Sequence, residues 1–326
     1  MPGIKIFTGS SHPELTMHII DKLGLTSSPA IVKKFPNAEI SVELGESVRD
    51  ADVFLIQSGS HSMNDHLMEL LIMISSCKSA SAKRITAVLP YFPYNKQSKK
   101  KKTRGAISAK LVANMLTVAG VDHIITLELH SSLAQGFFNK PCDNLVALPI
   151  LAKYITENFD LSKCIMISKN AGGARRVTQL ADRLRIDFAL IHRERYHVRV
   201  GDTATDQLET KITLVGDVKG KICLMLDDVI DGTHSFIDSC EHLKICESDQ
   251  VYIVAIHGIL SGDALKQIEM SNAIDGIITT NSFPVGYDKL RATSKLKQID
   301  ISSLFAEAIR RTHNGESMSY LFHTAM

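Results

Sequence analysis

The residues of this chain with the clearest chemical potential lie in Lys221-Ile-Cys-Leu-Met-Leu-Asp-Asp-Val-Ile-Asp-Gly-Thr-His-Ser235. The apolar run over 222–226 predicts a strand buried on both faces. Asp227 and Asp228 follow at once, then Asp231, Gly232, Thr233, His234 and Ser235 in a short polar loop. Apolar residues at Phe236, Ile237, Cys240 and Leu243 predict a helix that begins near His234. A strand that delivers acids to a loop at a helix N-terminus suits a sugar phosphate. Loop N–H groups face the phosphate, and the carboxylates meet hydroxyls or a metal ion. The plainer use of the two acids is to solubilise a strand end.

Five further constellations stand elsewhere. Phe35-Pro-Asn37-Ala-Glu39, at the end of a short strand, sets an aromatic near an amide and a carboxylate. That set suits a purine, or simply a turn with one buried ring. Residues 90–104 form a Pro-aromatic corner followed by Lys96, Lys99, Lys100, Lys101, Lys102 and Arg104. Such a loop suits polyphosphate, nucleic acid or solvent. Glu128 and His130, two apart on a strand end, are expected on one face, with Asp143 downstream. Imidazole and carboxylates suit a divalent ion, although a single His is often structural. In Ser168-Lys-Asn170-Ala-Gly172-Gly173-Ala-Arg175-Arg176, two glycines at a helix start free backbone amides for an anion. Arg193 and Arg195 put two guanidinium forks at a strand mouth, for phosphate or for an ion pair with Glu194.

The elements that must position these residues alternate almost from end to end. Strand runs at 4–8, 53–57, 85–89 and 124–129 alternate with helical patterns at 13–23, 64–81 and 107–119. After Pro149 the grammar restarts: helix 150–158, strand 165–168, helix 172–184, strands 188–191, 222–226, 251–256 and 277–280, and helix 303–311. Asn314-Gly315 should stop that last helix. Alternation of this kind predicts an α/β fold of parallel sheets flanked by helices. Two units are expected, 1–146 and 147–326. Residues 195–208 lack a period and read as a surface loop.

Composition fits a soluble globular chain. Of 326 residues, 44% are hydrophobic and 22% charged, and the net charge of only +2 argues against a general nucleic-acid binder. Neither a signal core nor a run of bilayer length is present, so no membrane partner is expected. The six cysteines form no Cys-x-x-Cys pair and read as buried thiols in a reducing, cytoplasmic compartment.

The acid-bearing stretch resembles the phosphoribosyl-pyrophosphate (PRPP) loop of type I phosphoribosyltransferases and PRPP synthetases. In their order, all six constellations resemble the PRPP synthetases, the ribose-phosphate pyrophosphokinases. The likeness extends from Ile4-Lys-Ile-Phe7 to the segment 307–322 and includes 68–74, 107–116 and 215–218. It implies two phosphoribosyltransferase-like (type I) domains assembled through dimers into hexamers. It also implies transfer of the β,γ-diphosphoryl group of Mg-ATP to the C1 hydroxyl of ribose 5-phosphate. Phe35, Asn37 and Glu39 would serve adenine across a subunit boundary, with Lys96 and Gln97 in the ATP loop. Mg²⁺ would fall to Glu128, His130, Asn139, Asp143 and Asn170. Arg193 and Arg195 would be the catalytic cations.

This chain departs from the active pattern where the chemistry would be. Tyr94-Asn-Lys96-Gln97-Ser98 replaces Tyr-Ala-Arg-Gln-Asp, and lysine lacks the two-pronged guanidinium contact. Glu128 and Asn139 each stand for Asp, Asn170 stands for the acid of Ser-Pro-Asp-Ala-Gly-Gly, and Arg193 stands for Lys. The inner threonine and later glycine of the PRPP loop are displaced. In Tyr91-Phe-Pro-Tyr-Asn-Lys-Gln-Ser-Lys99, Arg104-Gly105, Ser235-Phe236 and Gly258-Ile-Leu-Ser261, the chain resembles the PRPP synthetase-associated proteins, non-catalytic homologues that join the enzyme. Two readings follow. One is an associated regulatory subunit that binds catalytic subunits, as homo- or hetero-oligomers, and takes ATP, ADP or ribose 5-phosphate. The other is a working PRPP synthetase.

Overall fold

The computed structural model describes residues 3–100, 102–199 and 206–322, with the side chains of 195–199 and 206–210 outside that description. The first sheet takes its strands from β1 (Ile4–Thr8), β4 (Asp52–Ile56), β5 (Arg84–Leu89), β6 (His123–Leu127) and β7 (Cys142–Leu145). They lie in the order β1-β4-β5-β6-β7, all parallel. Between them run α1 (Pro13–Leu23), α2 (Met63–Ser79) and α3 (Ser108–Ala119), and a separate antiparallel ribbon of β2 (Ala30–Lys34) and β3 (Ile40–Leu44). Helix α4 (Leu148–Asn158) leads to the second sheet.

That sheet contains β8 (Cys164–Ser168), β9 (Phe188–Arg199), β10 (Asp206–Val215), β11 (Ile222–Ile230), β12 (Gln250–Gly258), β13 (Gly276–Thr280) and β14 (Leu296–Ile299). Its order is β10-β9-β8-β11-β12-β13-β14, parallel except for the edge pair β9–β10. Helices α5 (Ala174–Leu184), α6 (His234–Ile245), α7 (Ala264–Met270), α8 (Tyr287–Arg291) and α9 (Ser302–Asn314) complete the chain. The expected α/β fold with parallel, helix-flanked sheets is the observed one.

Adjacent strand residues point to opposite faces, and here both faces are apolar. Phe7, Val53, Leu55 and Ala87 pack under α2 and α3 against Leu70, Met73, Val112 and Leu116. Their neighbours Ile6, Phe54, Ile56 and Val88 join a second core with α1, α4 and α9. That core continues without a break into Met166, Leu224, Leu226 and Val254 of the second sheet. The two sheets therefore share one interior. Helix α9 ends at Asn314, with Gly315 left-handed at φ 70°, as its stop signal predicted. No helix among the described residues is long and apolar enough to cross a membrane.

One expectation needs correction. Of the stretch 195–208, read as a surface loop, residues 195–199 and 206–208 are strand, with Arg195 opposite Thr210 and Arg199 opposite Asp206, and 200–205 lie outside the described residues. Phe35-Pro-Asn37-Ala-Glu39 follows the end of the short strand β2, as expected, and closes the β2–β3 ribbon.

Candidate functional site

The carboxyl ends of β5, β6, β8 and β11 converge where the two sheets meet, the usual position for a site in an open parallel sheet. Strand β11 does not stop at Leu226 as expected. It runs on to Ile230, with Asp227 opposite Ala255 and Val229 opposite His257 on β12. The two acids stay close, the Asp228 amide donating to Asp227 Oδ1 at 3.0 Å.

Each acid of the stretch meets a cationic side chain of the same molecule. Asp227 Oδ2 lies 2.7 Å from Lys169 Nζ, which sits 3.4 Å above the centre of the Phe236 ring. Asp228 is buried, hydrogen-bonds His130 Nδ1 through Oδ2 and has Arg176 Nη1 3.8 Å from Oδ1. Asp231 accepts from Lys96 Nζ at 3.1 Å and from the Ser261 amide at 3.3 Å.

The carboxyls titrate accordingly. Burial pushes Asp227 up, with Lys169 opposing it. Burial also works against ionised Asp228, but the His130 hydrogen bond and the Arg176 charge outweigh it and hold the group below the usual carboxylate range. Asp231 is likewise lowered, its burial more than offset by Ser261 and Lys96.

The five residues nominated for a metal ion are not gathered in one place. Strand β6 ends at Leu127, and Glu128 takes a left-handed backbone at φ 43°. The alternation that would have put Glu128 and His130 on one face is therefore broken. Glu128 accepts from the Ala147 amide at 3.1 Å, whereas His130 turns to Asp228. Burial raises the Glu128 carboxyl. Asp143 pairs with His123 at 2.8 Å. Asn170 accepts from the Gly173 amide at 3.0 Å and so caps the turn before α5. Asn139 is exposed. Among the described residues, no three His, Cys, Asp or Glu side chains converge on a metal position. A divalent ion such as Mg²⁺ wants several anionic oxygens facing one point. The donor set here, neutralised from within, does not fit one.

The remaining nominees are placed as follows. Arg193 is tied to the first turn of α6: Nη2 donates to Ser235 O at 2.6 Å and to Ser239 Oγ at 2.8 Å, and Nη1 lies 3.2 Å from Asp238. The Arg195 side chain lies outside the described residues. Thr233 is buried and gives its hydroxyl to Gln267 on α7, while Gly232, His234 and Ser235 stay exposed. Gln97 accepts from Ser108 Oγ at the start of α3, at 2.7 Å. Asn37 accepts from the Glu39 amide at 3.2 Å, so its amide builds the ribbon turn. Phe35 is half exposed beside it.

Sequence reasoning missed Lys169, although it lies inside a quoted motif, because a lysine beside glycines reads as solvated. It also missed buried Asn95, whose Oδ1 accepts from the His130 amide at 2.8 Å. His257 went unnoticed too. It is fully buried, donating Nε2–H to Glu128 O at 3.3 Å and accepting at Nδ1 from Ser282 at 2.8 Å. A polar residue inside an apolar strand run was the available signal.

Residues 4–120 match the N-terminal domain of ribose phosphate pyrophosphokinase, and residues 202–323 match the phosphoribosyl synthetase-associated domain. The phosphoribosylpyrophosphate synthetase of Mycobacterium smegmatis is 35% identical, with 96% of this chain and 99% of that chain covered and a TM-score of 0.86. A purine phosphoribosyltransferase from Pyrococcus horikoshii is 22% identical over 36% of this chain and 75% of its own, with a TM-score of 0.29. The near-complete coverage by the mycobacterial enzyme and the two matched domains show that this chain belongs to the ribose-phosphate pyrophosphokinase (PRPP synthetase) family.

Proposed function

We propose that the chain is a regulatory, associated subunit of a ribose-phosphate diphosphokinase assembly, with little turnover of its own. One observation carries this reading: Asp227, Asp228 and Asp231 are each neutralised by the chain's own cationic or hydrogen-bonding side chains, Lys169, His130 with Arg176, and Lys96. Carboxylates committed in this way are poorly available to a sugar diol or to Mg²⁺. The binding of Arg193 to α6 takes a further cation out of play. Each such change typically costs a few kcal/mol of transition-state stabilisation, without strict additivity. Residues 1–146 and 147–326 would form its two phosphoribosyltransferase-like halves, in the cytoplasm.

The second reading is an active PRPP synthetase, favoured by the retained Asp227, Asp228 and His130 and by the likeness to a phosphoribosylpyrophosphate synthetase. The purified chain with Mg-ATP and ribose 5-phosphate separates the two. The subunit reading expects turnover far below the ordinary enzymatic scale of about 10 per second, and an ordinary rate sinks it.

An associated subunit also needs a partner. Phe35, Asn37 and Glu39 lie on an outlying ribbon, with Phe35 half exposed, and would complete an adenine site on a catalytic neighbour. Co-purification with a catalytic PRPP synthetase is expected. Phe35→Ala should then weaken the complex's ATP affinity by about 1–3 kcal/mol. Unchanged affinity in an intact complex removes the shared adenine site, and failure to associate with any catalytic subunit removes the partner reading.

A further inference from the structure

We infer that Lys169 is a tethered cation that holds the Asp227 carboxylate in the place of a divalent metal ion or a sugar hydroxyl, and so closes the acid pair to metal. The inference rests on the reading of a self-neutralised site and names the group that closes it.

Sheet register sets up the contact. Strands β8 and β11 run parallel with Ser168 opposite Leu226, so the next residues along, Lys169 and Asp227, emerge side by side. The backbone around Lys169 is pinned. Ser168 Oγ donates to Asn170 O at 2.8 Å, and Asn170 Oδ1 accepts from the Gly173 amide at 3.0 Å. The ammonium then has a carboxylate at 2.7 Å and an aromatic face at 3.4 Å. The Phe236 ring is itself buried.

Exposure separates this pair from an ordinary surface ion pair. The Lys169 and Asp227 side chains are only 14% and 16% exposed, whereas the Lys219–Glu247 pair is 73% and 63% exposed. A screened surface pair gives way readily to dissolved ions. A shielded pair held by its own backbone competes at a high effective concentration, so a dissolved cation must displace it rather than add to it. Lysine also brings one positive charge where a divalent ion brings two. The Lys169 charge would in addition repel any cation that approached Asp228 from the same mouth.

Manganese titration of the full-length chain, followed by calorimetry and by electron paramagnetic resonance, tests this. The parent chain should show no tight stoichiometric Mn²⁺ site. Lys169→Met, one atom shorter, keeps an unbranched side chain suited to the Phe236 face while removing the charge. It should bind one Mn²⁺ more tightly by on the order of tenfold to a hundredfold. Adding Asp227→Asn to that variant should cancel the gain. A folded Lys169→Met chain that binds Mn²⁺ no better than the parent overturns the inference. So does a parent chain that already holds one Mn²⁺ lost on Asp227→Asn, a result that needs no lysine variant. Should Lys169→Met fail to fold, Lys169→Gln makes the same comparison. A chain that turns over rapidly while Lys169→Met gains Mn²⁺ defeats the subunit reading and leaves the tethered cation standing. A chain that is inactive while the variant gains nothing does the reverse.

Discussion

Asp52→Ala should lower the stability of the folded chain by about 2–4 kcal/mol, because it removes the centre of a partly buried charge network. Asp52 opens β4 and is nearly buried. Its Oδ1 accepts from Arg84 Nε at 2.8 Å, its Oδ2 meets Arg84 Nη2, and Oδ2 lies 2.7 Å from His313 Nδ1. Arg84 Nη2 also donates to Thr312 O at 2.9 Å. The last turn of α9 is thereby fastened to the first sheet, across 261 positions of sequence. Alanine leaves Arg84 and His313 without their shared carboxylate. Because Arg84 is about one-third exposed, water recovers part of the loss, and the effect should fall short of that for a fully buried pair. Urea unfolding measures the change, and hydrogen exchange in the last turn of α9 locates it. A shift under about 0.5 kcal/mol would mean that the network is ornamental.

Acid should destabilise the chain between about pH 6.5 and pH 4, and His257 should account for about 3 kcal/mol of that loss. Burial lowers its pKa from 6.5 to about 4, against the opposing pull of the Glu128 carbonyl. The unfolded imidazole takes up a proton as pH falls below 6.5, while the folded one does so only near 4. The unfolded state binds more protons across that window, so stability declines as pH falls and levels off below it. Protonation would also put a charge beside the Tyr91 ring, which packs edge-on with His257 and clusters with Val229 and Phe283. Unfolding free energies at pH 7 and pH 4.5, in the parent and in His257→Gln, give the comparison. The variant should be weaker at pH 7 but should lose about 2–3 kcal/mol less on acidification. Equal losses in both proteins would assign the acid limb to other groups, such as His12, whose pKa burial also lowers.

The resemblance and the structure fail in different ways where they fail. Asp227, Asp228 and Asp231 were nominated for a loop, and two of them are strand residues, because β-pairing with β12 continues past the apolar run. Glu128 and His130 were nominated together on the strength of period-two alternation, which a single left-handed residue cancels. Lys169 lies 2.7 Å from Asp227, a pairing that no spacing within 168–176 announces.

The sequence by itself determined what local periodicity and turn chemistry encode. That includes the alternating strands and helices, the stop at Asn314-Gly315, and the order of motifs that marks the PRPP synthetase family. These depend on neighbours a few positions apart, where the periods of two and 3.6 residues leave a readable trace. Only the tertiary structure decided which charge meets which. Lys96 reaches Asp231 across 135 positions, and His130 reaches Asp228 across 98. Such pairings are set by the packing of one sheet on the other, as Lys169–Asp227 is by the register of β8 on β11, and no spacing along the chain records them.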